Sequence, residues 1–288
     1  MSLDWQDLKA FAAVARLQSL SGAARDLGID HATVGRRLDN LERGLGVVLV
    51  QRLKRGCSLT PAGAELAILA ADLEATTGAI SRRARGLGDE IRGDVRISAP
   101  PAFASQYLIT VAARLRHTHP QLRIVLIGET RTSILGRQDA DLALRLSRPQ
   151  EPEAIVRRVG AVTFRAYANA VWLAATAPED WTFVGYDEEL AQTPQEIALR
   201  QFAAGRPYIF QANDVLSLCA AAVDGLGIAM LPDFLAEPYP DLVAVTPEAS
   251  PLQRELWLAV HGDVRRSPAV RVVMDEMIDA LGKHFPAA

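Results

Sequence analysis

The stretch Leu20-Ser21-Gly22-Ala23-Ala24-Arg25-Asp26-Leu27-Gly28-Ile29-Asp30-His31-Ala32-Thr33-Val34-Gly35-Arg36-Arg37-Leu38-Asp39-Asn40-Leu41-Glu42 decides the reading of this chain. It reads as two short helices joined by a tight turn. In the first, Leu20, Ala23, Ala24 and Leu27 recur at helical spacing, and Ser21 is read as a cap near its start. Gly28 permits the left-handed conformation at which such a helix ends. Asp30 can accept hydrogen bonds from the free amides of a second helix whose apolar face is Val34, Leu38 and Leu41. His31, Thr33, Arg36, Arg37 and Asn40 lie mainly off that line. A helix–turn–helix with a polar, arginine-bearing second helix fits the major groove of DNA, and the chain is expected to read DNA there.

An amphipathic helix carrying Leu8, Phe11, Ala12 and Val14 precedes this stretch, and Leu45-Gly46-Val47-Val48-Leu49-Val50-Gln51-Arg52 and Leu59-Thr60-Pro61-Ala62-Gly63 follow it. Val47 to Gln51 is short and β-branched, Lys54-Arg55-Gly56 makes a basic turn, and Thr60 can cap a helix with Pro61 at its first position. Residues 5 to 63 resemble, almost throughout, the N-terminal domain of LysR-type transcriptional regulators. The resemblance implies a winged helix–turn–helix in which 45–52 and 59–63 form the wing hairpin and the start of a long linker helix. It departs from the family at two positions: His31 stands where a glutamine is usual and Gly35 where a serine is usual. These bear on base preference and on one phosphate contact. The residues expected at DNA are Ser21, His31, Thr33, Arg36 and Arg37 from the helices, with Arg52, Lys54 and Arg55 on the flanking backbone. Pairing with Asp39 or Glu42 is an alternative for Arg37.

At 288 residues, 49% apolar and 23% charged, the composition is that of a globular protein with room for two domains. The net charge of -3 hides an asymmetry. Residues 1–92 hold 13 basic against 11 acidic side chains, a net of +2; the remainder holds 18 against 23, a net of -5. From His31 to Arg55 there are six basic and two acidic residues, the electrostatic footprint a DNA reader needs. Cys57 and Cys219 are too far apart in sequence to suggest a disulfide framework, and peroxide-sensing members of the resembled family use a close pair that is absent here. Cys219, within Leu218-Cys219-Ala220-Ala221-Ala222, reads as a buried thiol. Met1 to Asp7 is polar and no apolar run approaches the roughly 20 residues of a membrane span, so a cytoplasmic location is expected.

From Ala62 to about Leu87 proline is absent, and Leu66, Leu69, Leu73 and Ile80 form one narrow apolar stripe on a helix of about seven turns. Arg82, Arg83 and Arg85 suit its carboxyl end. Such a stripe is satisfied by the same helix of another subunit, and the resembled family pairs in this way, so a homodimer or homotetramer is expected. Two-fold related heads would then bind double-stranded DNA at an imperfect inverted repeat, with RNA polymerase a candidate partner. Gly86, Gly88 and Gly93 mark a hinge.

Beyond Gly93 strands and helices alternate. Strands are expected at 95–98, 122–127, 141–145, 155–160, 163–168, 208–211, 227–231 and 255–261, and helices at about 103–117, 195–203, 214–224 and 268–282. This argues an α/β domain with parallel sheets. The resemblance implies two lobes like those of periplasmic binding proteins. The expected division is a DNA-binding domain at 1–62, a linker and dimerisation helix at 63–88, and an effector domain at 89–288. Its lobe I is about 89–161 and 265–288 and lobe II about 162–264, with crossings near Gly160–Thr163 and His261–Arg265.

Ligands of open α/β sheets sit beyond the carboxyl ends of the strands. Three segments qualify: Ser98-Ala99-Pro100-Pro101-Ala102-Phe103, Leu144-Arg145-Leu146-Ser147 and Gln211-Ala212-Asn213-Asp214. The resemblance places a small organic effector in the cleft they line, with Ser98, Pro100, Pro101, Phe103, Arg145, Ser147 and Asn213 as contacts. The helix end after Ser98 and the Arg145 guanidinium favour an acid over a base. Each has a plainer alternative: an ion pair of Arg145 with an acid such as Asp141, a helix cap from Asn213 and Asp214, a backbone contact for Ser98. Gly225-Leu226-Gly227-Ile228 lies between a helix and a strand and lacks the Gly-Lys-Ser/Thr of a phosphate loop, so it reads as turning and packing.

The five histidines, at 31, 117, 119, 261 and 284, have no metal-ligand spacing, and no nucleophile elbow, Walker loop or His-Glu-x-x-His is present, so neither an enzyme nor a cofactor is expected. The expectation is a sequence-specific, effector-responsive DNA-binding regulator. A regulator without an effector, a solute-binding protein and a sequence-indifferent DNA-binding protein are the alternatives.

Overall fold

The computed structural model describes residues 3–53, 56–86, 91–129, 140–150, 154–245 and 251–286. The chain forms two compact units, Met1–Arg82 and Arg83–Ala288. In the first, helix α1 (Trp5–Leu17) starts on Asp4, whose carboxylate accepts from the Gln6 amide at 2.6 Å. Helix α2 (Leu20–Leu27) is capped by Ser19, not Ser21. Ser19 has the extended backbone a cap requires, and its Oγ accepts from the Gly22 amide at 3.1 Å; Ser21 lies within the first turn and is exposed. Gly28 ends α2 at φ 65°, and helix α3 (His31–Leu45) follows. Phe11, Val14, Ala23, Val34, Leu38 and Leu41 close the core of the three helices.

The hairpin is strand β1 (Val50–Arg52) against β2 (Cys57–Leu59). It starts later than the β-branched run at Val47 because α3 holds that segment. The Val47 amide donates back to Glu42 O, and the Leu49 and Val50 amides donate to the Glu42 carboxylate at 2.7 and 3.0 Å. Thr60 Oγ1 then accepts from the Gly63 amide at 3.0 Å and donates to Val48 O at 2.7 Å, starting helix α4 (Pro61–Gly86). Gly63 touches the hairpin so closely that a Cβ would lie 2.0 Å from Leu49 O. The side chains of Arg82, Arg83 and Arg85, and Gly88 of the expected hinge, lie outside the described residues.

The second unit runs β3 (Gly93–Ala99), α5 (Pro101–Phe103), a π-helical stretch Ala104–Leu108, α6 (Ile109–Thr118), β4 (Leu122–Gly128) and β5 (Leu142–Arg145). There follow β6 (Ala154–Asn169), α7 (Ala170–Ala175), β7 (Phe183–Tyr186), α8 (Pro194–Ala203), β8 (Tyr208–Ala212) and α9 (Val215–Val223). The last elements are β9 (Ala229–Pro232), α10 (Asp233–Ala236), β10 (Leu242–Ala244), β11 (Leu252–His261) and α11 (Pro268–His284). Among the described residues one sheet has the order β10-β6-β11-β5-β3-β4, with β9 also on β6, and β7 and β8 form a parallel pair beside it.

The sheet is mixed, where the alternation of elements predicted parallel sheets. β3 pairs in parallel with β4 and β5, whereas β6 and β11 are antiparallel to each other and to their outer neighbours. The two strands read at 155–160 and 163–168 are one strand, β6. Gly160 does not break it: the backbone there is extended, and glycine is required because a Cβ would lie 2.0 Å from Phe285 O. The crossing read at Gly160–Thr163 falls inside β6, and the one read at His261–Arg265 lies at and just beyond the end of β11. β7, absent from the strands expected from sequence, has Gly185 at its centre because the Tyr208 ring and the Glu196 carboxylate occupy the space of a side chain. Gly225, at φ 74°, and Gly227, against Thr182 O, turn and pack the chain before β9.

Buried Val95, Ile97, Leu115, Val273 and Met277 fill one lobe. Val184, Leu218, Ala222, Leu231 and Leu235 fill the other. Gly63→Ala and Gly160→Ala should each cost more than about 2 kcal/mol in urea unfolding, because the new methyl meets backbone that cannot yield. Gly44, with nothing within 4 Å of its absent Cβ and a place inside α3, is the control. Gly44→Ala should stabilise by about 0.5–1 kcal/mol.

Candidate functional site

The exposed face of α3 is built from its amino end. Asp30 Oδ1 accepts from the Thr33 amide at 2.8 Å and Oδ2 from the Thr33 hydroxyl at 2.7 Å. The two contacts hold the Asp30 carboxyl below the ordinary carboxylate range. Thr33 is therefore engaged in capping its own helix. His31, Gly35, Arg36, Asn40 and Arg43 line one shallow surface with Arg52 from β1. Arg43, whose Nη1 donates to Asn40 Oδ1 at 3.1 Å, was missed in the sequence; its signal was its place seven residues beyond Arg36, two turns along the same face.

Arg52 makes an exposed ion pair with Asp39 at 2.7 Å. Exposed pairs of this kind contribute about 0–1 kcal/mol, so a phosphate can displace Asp39 at little cost. Arg37 is set apart from this surface, since its Nη1 donates to Gln6 Oε1 of α1 at 3.2 Å, in place of the Asp39 or Glu42 pairing considered from sequence. Gly35 is not demanded by packing: the nearest atom to its absent Cβ is Arg52 Nη2 at 3.8 Å. Lys54 and Arg55 lie outside the described residues.

In the second unit a cavity of about 120 Å³ opens at the carboxyl ends of β3, β5, β7, β8 and β9, where an α/β ligand site is expected. Its walls are mostly apolar, with Pro100, Pro101 and Phe103 on one side and Phe164, Val215 and Phe234 on others. The Phe103 and Phe234 rings meet at 4.9 Å. Of the residues picked out from sequence, Pro100, Pro101, Phe103, Arg145 and Ser147 line the cavity. Ser98 is buried behind it, and Asn213 is an exposed neighbour of Asp214, which does line it. Asp214 also caps α9, accepting from Ser217 N at 2.8 Å and Ser217 Oγ at 2.7 Å.

Arg145 is buried and heavily bonded. Its Nη1 donates to Ser98 O at 3.1 Å and Leu144 O at 2.9 Å; its Nη2 donates to Ser98 Oγ at 2.8 Å and lies 3.4 Å from Glu129 Oε2. Its acidic neighbour is Glu129, not Asp141, whose Oδ2 accepts from the Arg96 amide. Sequence reading missed Glu129, Tyr186, Gln195 and Arg254, all lining the cavity. Arg254 Nη1 donates to Gln195 Oε1 and Nη2 to Leu146 O, the latter at 2.9 Å. Burial pushes the Tyr186 hydroxyl up to about 12, so it stays protonated and can donate. Arg254 had a signal: Leu252, Leu256, Leu258 and Val260 share its face of β11, and it is the cation interrupting them.

Comparison with known proteins decides what carries these two sites. The family model for the bacterial regulatory helix-turn-helix protein of the lysR family matches residues 5–64, and that for the LysR substrate binding domain matches residues 88–282. The chain belongs to the LysR family of transcriptional regulators. It is 30% identical over 285 residues to the Mau operon transcriptional activator of Paracoccus denitrificans, 96% of each chain being covered. It is 29% identical over 255 residues to the regulator PtxR of Pseudomonas aeruginosa, covering 81% of this chain and 78% of PtxR. Among solved structures, the Vibrio cholerae virulence activator AphB shares the fold with a TM-score of 0.65 at 21% identity, over 96% of this chain and 99% of AphB. Family and relatives are transcriptional regulators, not enzymes. Among the described residues no group of three His, Cys, Asp or Glu could hold a metal ion, and no helix is long and apolar enough to cross a membrane.

Cys57 and Cys219 are buried free thiols in separate units of this LysR-type regulator. Burial pushes the Cys219 thiol up to about 11 and raises that of Cys57. The nucleophile is the thiolate, so both are protected by inaccessibility and by protonation. Neither should react with a maleimide at pH 7 in the native protein, and both should react in denaturant, counted by mass spectrometry.

Proposed function

We propose that this LysR-type regulator binds an imperfect inverted repeat in DNA as a homodimer or homotetramer in the cytoplasm, and that a small organic effector, an acid rather than a base, controls it from the cavity between its lobes. The effector reading rests above all on the cavity itself. It is polar at a few convergent groups, apolar elsewhere, and several times larger than one water needs, which is about 10–15 Å³. Pro100, Pro101, Phe103, Arg145 and Ser147 would contact the effector directly. Ser98 would act through Arg145, and Asn213 lies beside the rim.

The DNA reading places His31 and Arg36 in the major groove. Ser21, Thr33 and Arg37 flank them, and Arg52, Lys54 and Arg55 lie on the phosphates beside it. Assembly is supported by α4, whose Ile68, Leu69, Leu73 and Ile80 are exposed apolar side chains on one helix. RNA polymerase is a partner that such a regulator would touch at a promoter.

Phosphate and base contacts separate in a salt titration. Arg52→Ala should weaken all DNA alike and make the salt slope shallower by about one. His31→Ala should instead alter preference at one base pair, read by selection from a random operator pool. Footprinting of the DNA beside its own gene should give protection with dyad character, and sedimentation at micromolar concentration should give no monomer. Protection without a dyad, or a monomer, would overturn the assembly reading.

A further inference from the structure

The cavity holds two arginines in opposite electrostatic situations. The Arg145 charge is answered within the protein by Glu129 and by three further acceptors on Ser98 and Leu144. Among the described residues Arg254 has no carboxylate partner. Its acceptors are the neutral Gln195 amide oxygen and the Leu146 carbonyl, which leaves guanidinium N–H groups beside the cavity with no further acceptor among the described residues. Removal from water lowers its pKa from the ordinary arginine value. Asp214 lines the same cavity, but both its oxygens accept from Ser217. A partly buried cation held in place by neutral acceptors is costly until an anion joins it.

We propose that the cavity takes a small, largely apolar carboxylic acid whose carboxylate is seated on Arg254 rather than Arg145. The Tyr186 hydroxyl would be a second donor, and the Phe103, Phe164 and Phe234 rings would cover the apolar body. This rests on the effector reading above and names its anchor. The planar guanidinium suits a carboxylate, which can accept two parallel N–H bonds, better than it suits a neutral amide. Arg254 also reaches from the Leu146 carbonyl on one lobe to Gln195 on the other, so an anion placed on it bears on both lobes at once.

The test uses the full-length protein and four probes: hexanoate and phenylacetate, each beside its neutral primary amide. Both acids should raise the thermal midpoint of the wild type, with the amides roughly tenfold or more weaker in apparent Kd. Gln195→Glu sets an internal carboxylate against Arg254 with almost no change of shape. It should raise the ligand-free midpoint and abolish the response to both acids. Arg254→Gln should lose the acid response, and Arg254→Lys should keep part of it and still prefer acid to amide.

If acids and amides act alike on the wild type, the carboxylate seat is wrong. If the acids stabilise Gln195→Glu and Arg254→Gln as they do the wild type, the effector reading stands and the Arg254 anchor falls. If none of the four shifts the wild type, the acid class and the effector reading fall together.

Discussion

The antiparallel pairing of β6 with β11 is the constraint on which the second unit depends. It runs from Leu252 opposite Phe164 to His261 opposite Ala154, and its two halves belong to different surroundings. Toward the carboxyl end of β6 the neighbours are β9 and β10; toward the carboxyl end of β11 the neighbour is β5, and through it β3 and β4. Two strands side by side carry the chain between the lobes, so any change in lobe angle must bend this pair. The register skips one residue opposite Leu256/Trp257, a bulge of the kind that concentrates bending. Arg254 lies two residues from it, and Gly160, opposite Leu256, is pressed against Phe285.

The same geometry explains why the two cavity arginines differ. Arg145 ends a short strand whose four residues are all buried, and a guanidinium so enclosed must find its partners at home. Ser98 and Glu129 supply them from the ends of the adjacent elements. Arg254 emerges where the two lobes part, and what faces it across the gap is a helix start and a carbonyl. An enclosed charge is neutralised by the fold; the charge at the junction of the two lobes meets only neutral acceptors among the described residues.

In the N-terminal unit the dependence is local. Asp4, Ser19 and Asp30 each cap the helix that follows, and Gly28 and Gly46 end helices in the left-handed conformation. These signals are adjacent to what they control, so the Gly28 stop and the Asp30 cap were legible from residues alone, whereas the cap of α2 was read at Ser21, two residues late. The hairpin was less legible. Its start is set by the Glu42 carboxylate, seven and eight residues away, and its position against α4 by the absence of a side chain on Gly63. Val47 and Val48 have the composition of a strand and are exposed loop: the Val47 amide donates to Glu42 O and the Val48 carbonyl accepts from the Thr60 hydroxyl.

What the sequence by itself determined is therefore what depends on short range and on period. It set the helix–turn–helix with its Asp30 cap and Gly28 stop, the long helix with its narrow stripe, and the alternation of elements beyond Gly93. It also placed Pro100, Pro101, Phe103, Arg145 and Ser147 at strand ends, and hence at a cavity. Tertiary structure decided which charges are answered. Arg145 meets Glu129 across 16 residues of chain, Arg254 meets Leu146 across 108, and Arg37 turns to Gln6 across 31. Electrostatic partnership is a matter of distance in space. Only the folded chain says which cation has been neutralised and which still faces an open cavity.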